Sequence, residues 1–458
     1  MKAWPPGFLK INSGIDIMTK FLRSSKFVEY SAGTIVAQYA ILFVSLVSSI
    51  ITARLLGPAG LGQLTLLLLI PWFATVFGRM GVGHSVNYHF GKLSPAKIIV
   101  DSLILSGVLG ILCMAATLPV AYFFKGTLLK DVNWNLIIFS IFFIPFYILS
   151  DHLAGLLQGL YKLHLRNIIY FFQAVINLVM MAFFVILMKW GVSGAVGASM
   201  FSLVFLAFAL AVPVMKEIKG KELKVDLNIM KQIFGYGLKS HVGNITKDLS
   251  YRINMPIINY YLMPISVGYY TVAVQLAEVI WKIPESISSV LLPKIVQMKK
   301  EQAYLFTPLI MRTLFVPLLA CCLAVLVFGQ ALIVLIYGKE FLPSASLIVF
   351  LLPGILSLSF WKIIISDLIA QGHAEKYSAT SVLSLATMVI LNLLLIPVMG
   401  IQGAAIALSL SYIATTGLAL IFYARLTKSS FKNLLLPTAA DVDIYKKLLG
   451  VGSPTDVP

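Results

Sequence analysis

Six polar side chains recur at intervals of four, three, four, three and four residues: Thr271, Gln275, Glu278, Lys282, Glu285 and Ser289. At 3.6 residues per turn this spacing puts all six on one narrow face of a helix. Val272, Leu276, Val279 and Ile283 form its dry side. A helix this apolar belongs in a bilayer, where a charge facing lipid at mid-depth costs roughly 2.5–3.5 kcal/mol. The charges must therefore face water or one another. Glu278 and Lys282, at i,i+4, suit an internal ion pair. A pair does not account for a stripe that runs the whole membrane depth, whereas a water-filled cavity does. Pro284 points the same way, because it leaves the carbonyl of Ile280 without a helical partner.

The preceding segment, GNITKDLSYRINM (243–255), repeats the pattern. Asn244, Asp248, Arg252 and Asn259 share a face, with Lys247, Tyr251 and Asn254 adjoining. Ser31, Gln38, Ser45 and Thr52 form a milder seven-residue stripe that suits a cavity or helix packing equally. Among the remaining intramembrane charges, Lys362 is deep and reads as a cavity residue, while Arg79, near a helix end, suits either role. Asp101 and Arg312 read as snorkelling to the interface. Asp151 and Asp367 hold comparable places in the two halves and read as structural. A cavity lined by Arg79, Lys247, Arg252, Lys282 and Lys362 would focus positive potential and favour an anion. Arg and Lys suit diphosphate oxygens, Arg through paired hydrogen bonds. An exporter of cations would need acids without this excess.

The elements that must position these residues are membrane helices. Of 458 residues 59% are hydrophobic and only 12% charged, with a mean hydropathy of +0.93. Apolar runs of about 20 residues, the length that crosses the hydrocarbon core, recur along the chain. They are too long for barrel strands, so the fold class is an all-α polytopic membrane protein. Twelve spans are expected near 31–53, 63–83, 98–124, 134–158, 168–189, 193–215, 236–262, 267–291, 305–328, 345–371, 376–397 and 402–425. With the N-terminus inside, the inner segments hold 24 of the 35 Lys and Arg residues and the outer ones only 5. That asymmetry predicts both termini in the cytoplasm and a multi-pass protein of the cell (inner) membrane. No signal peptide is evident ahead of the first apolar run. The +17 net charge follows from this sidedness and gives no reason to expect nucleic acid. Cys113, Cys321 and Cys322 lie in apolar runs and read as small buried hydrophobes.

An internal repeat divides the chain. LLGPAGLGQLT (55–65) aligns with YLMPISVGYYT (261–271), pairing Pro58 with Pro264, Gly62 with Gly268 and Thr65 with Thr271. GVSGAVGA (191–198) aligns with GIQGAAIA (400–407). Two six-helix lobes related by a pseudo-two-fold axis follow, an arrangement that suits alternating access. The expected units are a cytoplasmic tail 1–30, an N-terminal lobe 31–215, a basic linker 216–235, a C-terminal lobe 236–425 and a cytoplasmic tail 426–458. From Asp226 onward the linker suits a short amphipathic helix on the inner leaflet.

No nucleotide-binding motif, metal-ligand cluster or nucleophile–base constellation is present, so the chain is not expected to be an enzyme. ITARLLGPAGLGQLTLL (51–67) and the segment 236–295 resemble the polysaccharide-transport branch of the MOP flippases. That branch includes O-antigen and capsule-unit flippases and is related to MATE exporters and lipid II flippases. The resemblance implies a V-shaped pair of lobes that flips polyprenyl-diphosphate-linked glycan to the outer leaflet. It also implies work beside other polysaccharide-assembly membrane proteins. No cofactor is implied beyond a coupling ion, H+ or Na+.

On this reading Arg252, Lys282, Lys247, Arg79 and Lys362 receive the head group. Gln275, Asn244, Asn254 and Gln38 line the cavity. The branch often has an acid two residues after the arginine, where this chain has Asn254, so Asp248 or Glu278 takes that part. Glu278 and Glu285 either keep the diphosphate from binding too tightly or carry the coupling proton. The alternatives are a MATE-like cation-coupled exporter of small molecules and a polysaccharide polymerase or ligase. The latter would need a sizeable outer loop, and the outer loops here are short.

Overall fold

The computed structural model describes residues 25–90, 93–220, 225–298, 300–428 and 430–435. Among them the chain forms fifteen α-helices and no strand. The first half contains α1 (Ser25–Gly78), α2 (Val82–His89), α3 (Pro95–Phe123), α4 (Trp134–Ile141), α5 (Ile144–Gly159), α6 (Leu163–Met181) and α7 (Gly191–Ile218). The second contains α8 (Leu227–Arg252), α9 (Asn254–Tyr261), α10 (Pro264–Gln297), α11 (Lys300–Ile336), α12 (Pro343–Ala370), α13 (Ala374–Met399), α14 (Ile401–Thr427) and α15 (Phe431–Leu435).

Nine stretches of the described residues are long and apolar enough to cross a membrane. One of them, in α1, is two spans. Gly57, at φ 63° and ψ −179°, divides α1 into two arms, a conformation open to glycine at little cost. Pro58 then opens the second arm, because its fixed φ suits a first helical turn. The sequence around it looks like a loop, yet apart from Gly57 the stretch 54–62 is helical. With both arms counted, and with α8–α9 and α10 added, twelve spans fall six to each half. Charge keeps α8–α9 and α10 off the apolar count, and that charge is the site.

The basic linker differs from expectation. Asp226 caps α8 through the amides of Asn228 and Ile229, at 3.1 and 3.4 Å, and α8 runs unbroken to Arg252. The stretch expected to form a separate helix on the leaflet is continuous with the helix of the seventh expected span. Of the expected tails and linker, residues 1–24, 221–224, 429 and 436–458 lie outside the described residues.

In the first half α6 packs on α7 and α1, and α5 packs on α3 and α7. In the second, α10 and α14 flank α12, while α13 packs on α14 and α8. Across the halves, α10 packs on α1 and α2 packs on α8.

Helix ends gather at two faces. At the lysine-rich face Lys162 pairs with Glu217, and Lys97 reaches Asp226 at 3.3 Å. Asp101, expected to snorkel, is instead fully buried and accepts the backbone N–H of Asp226 at 3.1 Å. At the opposite face Asn259 donates to the carbonyls of Leu128 and Lys130, both at 3.0 Å. Arg54 there donates to the last carbonyls of α11, Leu335 and Ile336.

Candidate functional site

The second arm of α1 ends just before Arg79, where Met80 and Gly81 turn the chain with φ of 46° and 66°. Ending a helix inside a bundle strands carbonyls that must find donors. His241 Nε2 meets the Phe77 carbonyl at 3.1 Å, and His152 Nε2 meets that of Arg79 at 3.0 Å. The other nitrogen of His152 pairs with Ser106 Oγ at 2.7 Å. Both histidines are buried and hold Arg79 in place.

Arg79 bonds Asp248 of α8 across the lobe boundary and lies 3.9 Å from Asp151 of its own lobe. Lys247 approaches the other oxygen of Asp248 at 3.3 Å. Asn244, one turn earlier, accepts from the Tyr377 hydroxyl at 3.4 Å. Four of the expected site residues thus form one knot between the lobes. Asp367, aligned with Asp151 by the repeat, does something else: it is buried and accepts from Tyr423 at 2.7 Å and from Gln371. The two acids therefore make different contacts in the two halves.

The second cluster lies on α10 and α12. Glu285 takes Lys282 on one oxygen at 2.8 Å and Lys362 on the other at 3.0 Å. Glu278 is not the partner of Lys282, as the i,i+4 spacing suggested, but faces Arg252 of α8 at 3.8 Å. Lys362 is only 9% exposed, and its ammonium sits 3.9 Å from the ring centre of Trp281 and 5.9 Å from that of Tyr251. These aromatic walls supply cation–π attraction where water is scarce. From sequence Tyr251 only adjoins the polar face, and nothing marks Trp281 as part of the site. Only the fold brings them to a lysine 81 positions beyond Trp281.

Lys282 and Glu285 open onto a cavity of about 550 Å³ whose other wall is the first arm of α1, with Gln38, Tyr39, Leu42 and Ser45. Thr52, from the same stripe, turns inward and bonds the Ser48 carbonyl at 2.7 Å. Gln275 closes the seam above the cavity through Ser49, at 2.8 Å. Asn254 lies elsewhere. The helix breaks between Arg252 and Asn254, since Pro256 offers no N–H to the Arg252 carbonyl. Asn254 turns into the protein, only 1% exposed, and bonds Tyr270 and Asn392. It belongs to a buried amide network and not to the cavity wall. The side chains of Ser31 and Ser289, which complete the two stripes, lie outside the described ones.

Five cations therefore meet four carboxylates, and the expected large positive excess shrinks to one charge. The seam on the far side of α8 is apolar, with a cavity of about 500 Å³ between Phe73, Phe77, Val120, Phe124, Leu249 and Ile253. Among the described residues no group of His, Cys, Asp or Glu side chains could hold a metal ion.

Two six-helix lobes enclosing a charged, partly open seam define a multi-pass membrane protein. The chain belongs to the family described as polysaccharide biosynthesis protein, whose model matches residues 29–299. Among solved structures it is similar to a multidrug resistance MATE family transporter of the MOP superfamily in its inward-facing conformation. That match has 15% identity and a TM-score of 0.69, covering 84% of this chain and 94% of that one. It is similar to the lipid II flippase MurJ in an inward closed conformation, again at 15% identity and a TM-score of 0.69, covering 92% and 93%. Comparison with curated proteins gives no match.

Proposed function

We propose that this chain is a flippase that moves polyprenyl-diphosphate-linked oligosaccharide from the inner to the outer leaflet for surface polysaccharide export. The observation that carries this reading is the cavity at Lys282. One wall presents a lysine whose counter-charge among the described residues, Glu285, is shared with a second lysine. The other wall is α1, with the apolar Ile41 and Leu42 beside the polar Gln38 and Ser45. A diphosphate takes the place of Glu285 at Lys282, Lys362 keeps Glu285 from following, and the isoprenoid stays in lipid. The lysine-rich face is then cytoplasmic, as the positive-inside rule has it. Family membership and the flippase-like fold support the same reading.

Coupling to H+ or Na+ through Asp248, Glu278 or Glu285 is part of the proposal. All three acids face cations here, so an ion gains access as one of those pairs opens.

Reconstitution into liposomes with a fluorescent polyprenyl-diphosphate glycan tests this. Protein-dependent, gradient-sensitive loss of one-leaflet labelling is expected. Transport of a small organic cation with no movement of the lipid would contradict it and favour the exporter alternative.

A further inference from the structure

The aligned segments 55–65 and 261–271 have no part in the charged site, yet they meet each other at the face opposite the lysines. A Cβ on Gly62 would lie 1.7 Å from the carbonyl oxygen of Pro264, and one on Gly268 would lie 1.9 Å from that of Pro58. Each half thus lays its glycine against the other half's proline carbonyl. One turn further in, Thr65 Oγ1 and Thr271 Oγ1 face each other at 3.4 Å, the third aligned pair of the repeat. Contact between equivalent residues marks the pseudo-two-fold axis itself. No side chain fits at either glycine, so backbone meets backbone.

Other cross-lobe contacts ring this point. Arg54 of the first half caps the end of α11 in the second, and Asn259 of the second half bonds Leu128 and Lys130 of the first. Further in, Ser49 bonds Gln275. Beyond that bond, towards the lysine-rich face, the seam opens into the Lys282 cavity.

We propose that Pro58–Gly62 and Pro264–Gly268 form a self-complementary gate that seals the cleft at the face opposite the lysines and must part to release the cargo's head group. Because the contact is reciprocal, a side chain added on either half blocks closure. The inference rests on the alternating-access reading above. Its test reads accessibility, so it succeeds or fails independently of what the cargo is.

Ser45→Cys, in a chain with Cys113, Cys321 and Cys322 replaced by alanine, reports on the cavity through a membrane-impermeant thiol reagent. In the parent, labelling is expected from the lysine-rich side. Gly62→Leu or Gly268→Leu should raise labelling from the gate side about tenfold, as a minor open state becomes the main one. Gly126→Leu, at a glycine with open space around it, should leave labelling unchanged. A Thr65→Cys/Thr271→Cys pair, once oxidised, should stop labelling from the gate side and stop transport, with both restored by reductant. Unchanged gate-side labelling in membrane-inserted Gly62→Leu and Gly268→Leu overturns the gate. Transport through the oxidised cysteine pair does so too, and it decides the matter if the leucine variants fail to accumulate.

Discussion

Two charged clusters sit a few turns apart, built from the same residue types but joined to the rest of the protein differently. In the first, Arg79 of one lobe and Lys247 of the other converge on Asp248, and two buried histidines fix the helix break that carries Arg79. It bridges the lobes. In the second, Lys282, Glu285 and Lys362 all come from one lobe, and Lys282 and Glu285 are 41% and 45% exposed to the cavity. It bridges nothing. Charges shared between moving bodies hold a state, whereas charges arrayed on one body beside a void are free to exchange partners with a ligand. Exposure makes the difference energetic at Lys282 and Glu285, since losing a partner costs far less in a wet site than in a dry one.

The largest effect should follow from breaking the first cluster. Asp248→Asn leaves Arg79 and Lys247 without their shared carboxylate, and for a pair still 23% and 16% exposed the cost falls below the ~3–5 kcal/mol of a fully buried one. A pronounced fall in melting temperature is expected in detergent, partly recovered when Arg79→Gln is added. Next comes the second cluster. Lys282→Gln should change melting temperature little but cut transport about ten- to a hundredfold, the worth of one charge-assisted hydrogen bond of about 1.5–3 kcal/mol. Arg252→Ala should also abolish surface glycan while the protein stays membrane-inserted. A smaller loss of transport, a few-fold, is expected for Lys362→Met, which keeps the packing on Trp281 but lets Glu285 settle on Lys282 alone.

The smallest effect lies outside the membrane, at Asp226. The hydrogen bond from Lys97, with the amides of Ile229 and Asn228, holds its carboxyl below the usual carboxylate range. A depressed value means the cap is fully in place above the ordinary range and is lost only as pH falls through the lowered one. Hydrogen exchange at the Asn228 and Ile229 amides should stay slow through mild acid and quicken only on further acidification. Quickening at the pH where a free aspartate titrates would contradict this.

Much of this was legible in the sequence. Apolar run length gave the twelve spans, and the 271–285 spacing picked out the helix that lines the cavity. What escaped is non-local. Glycine and proline at 57 and 58 look like a loop, though one left-handed residue is all the turn needs. Spacing along one helix suggested Glu278 for Lys282, but Arg252 on the next helix claims Glu278. Asn254 lies two residues past Arg252, and only the break ahead of Pro256 shows that it turns inward. Counting cations gave a positive excess because Arg79, Arg252 and Lys362 are answered by acids on other helices.

The most direct test of the contrast is equilibrium binding of polyprenyl diphosphate to the protein in nanodiscs, comparing Lys282→Gln with Asp248→Asn. If the open cluster receives the diphosphate and the bridging one holds the lobes, Lys282→Gln loses binding while Asp248→Asn, where folded, keeps it. Full binding by Lys282→Gln would contradict the account.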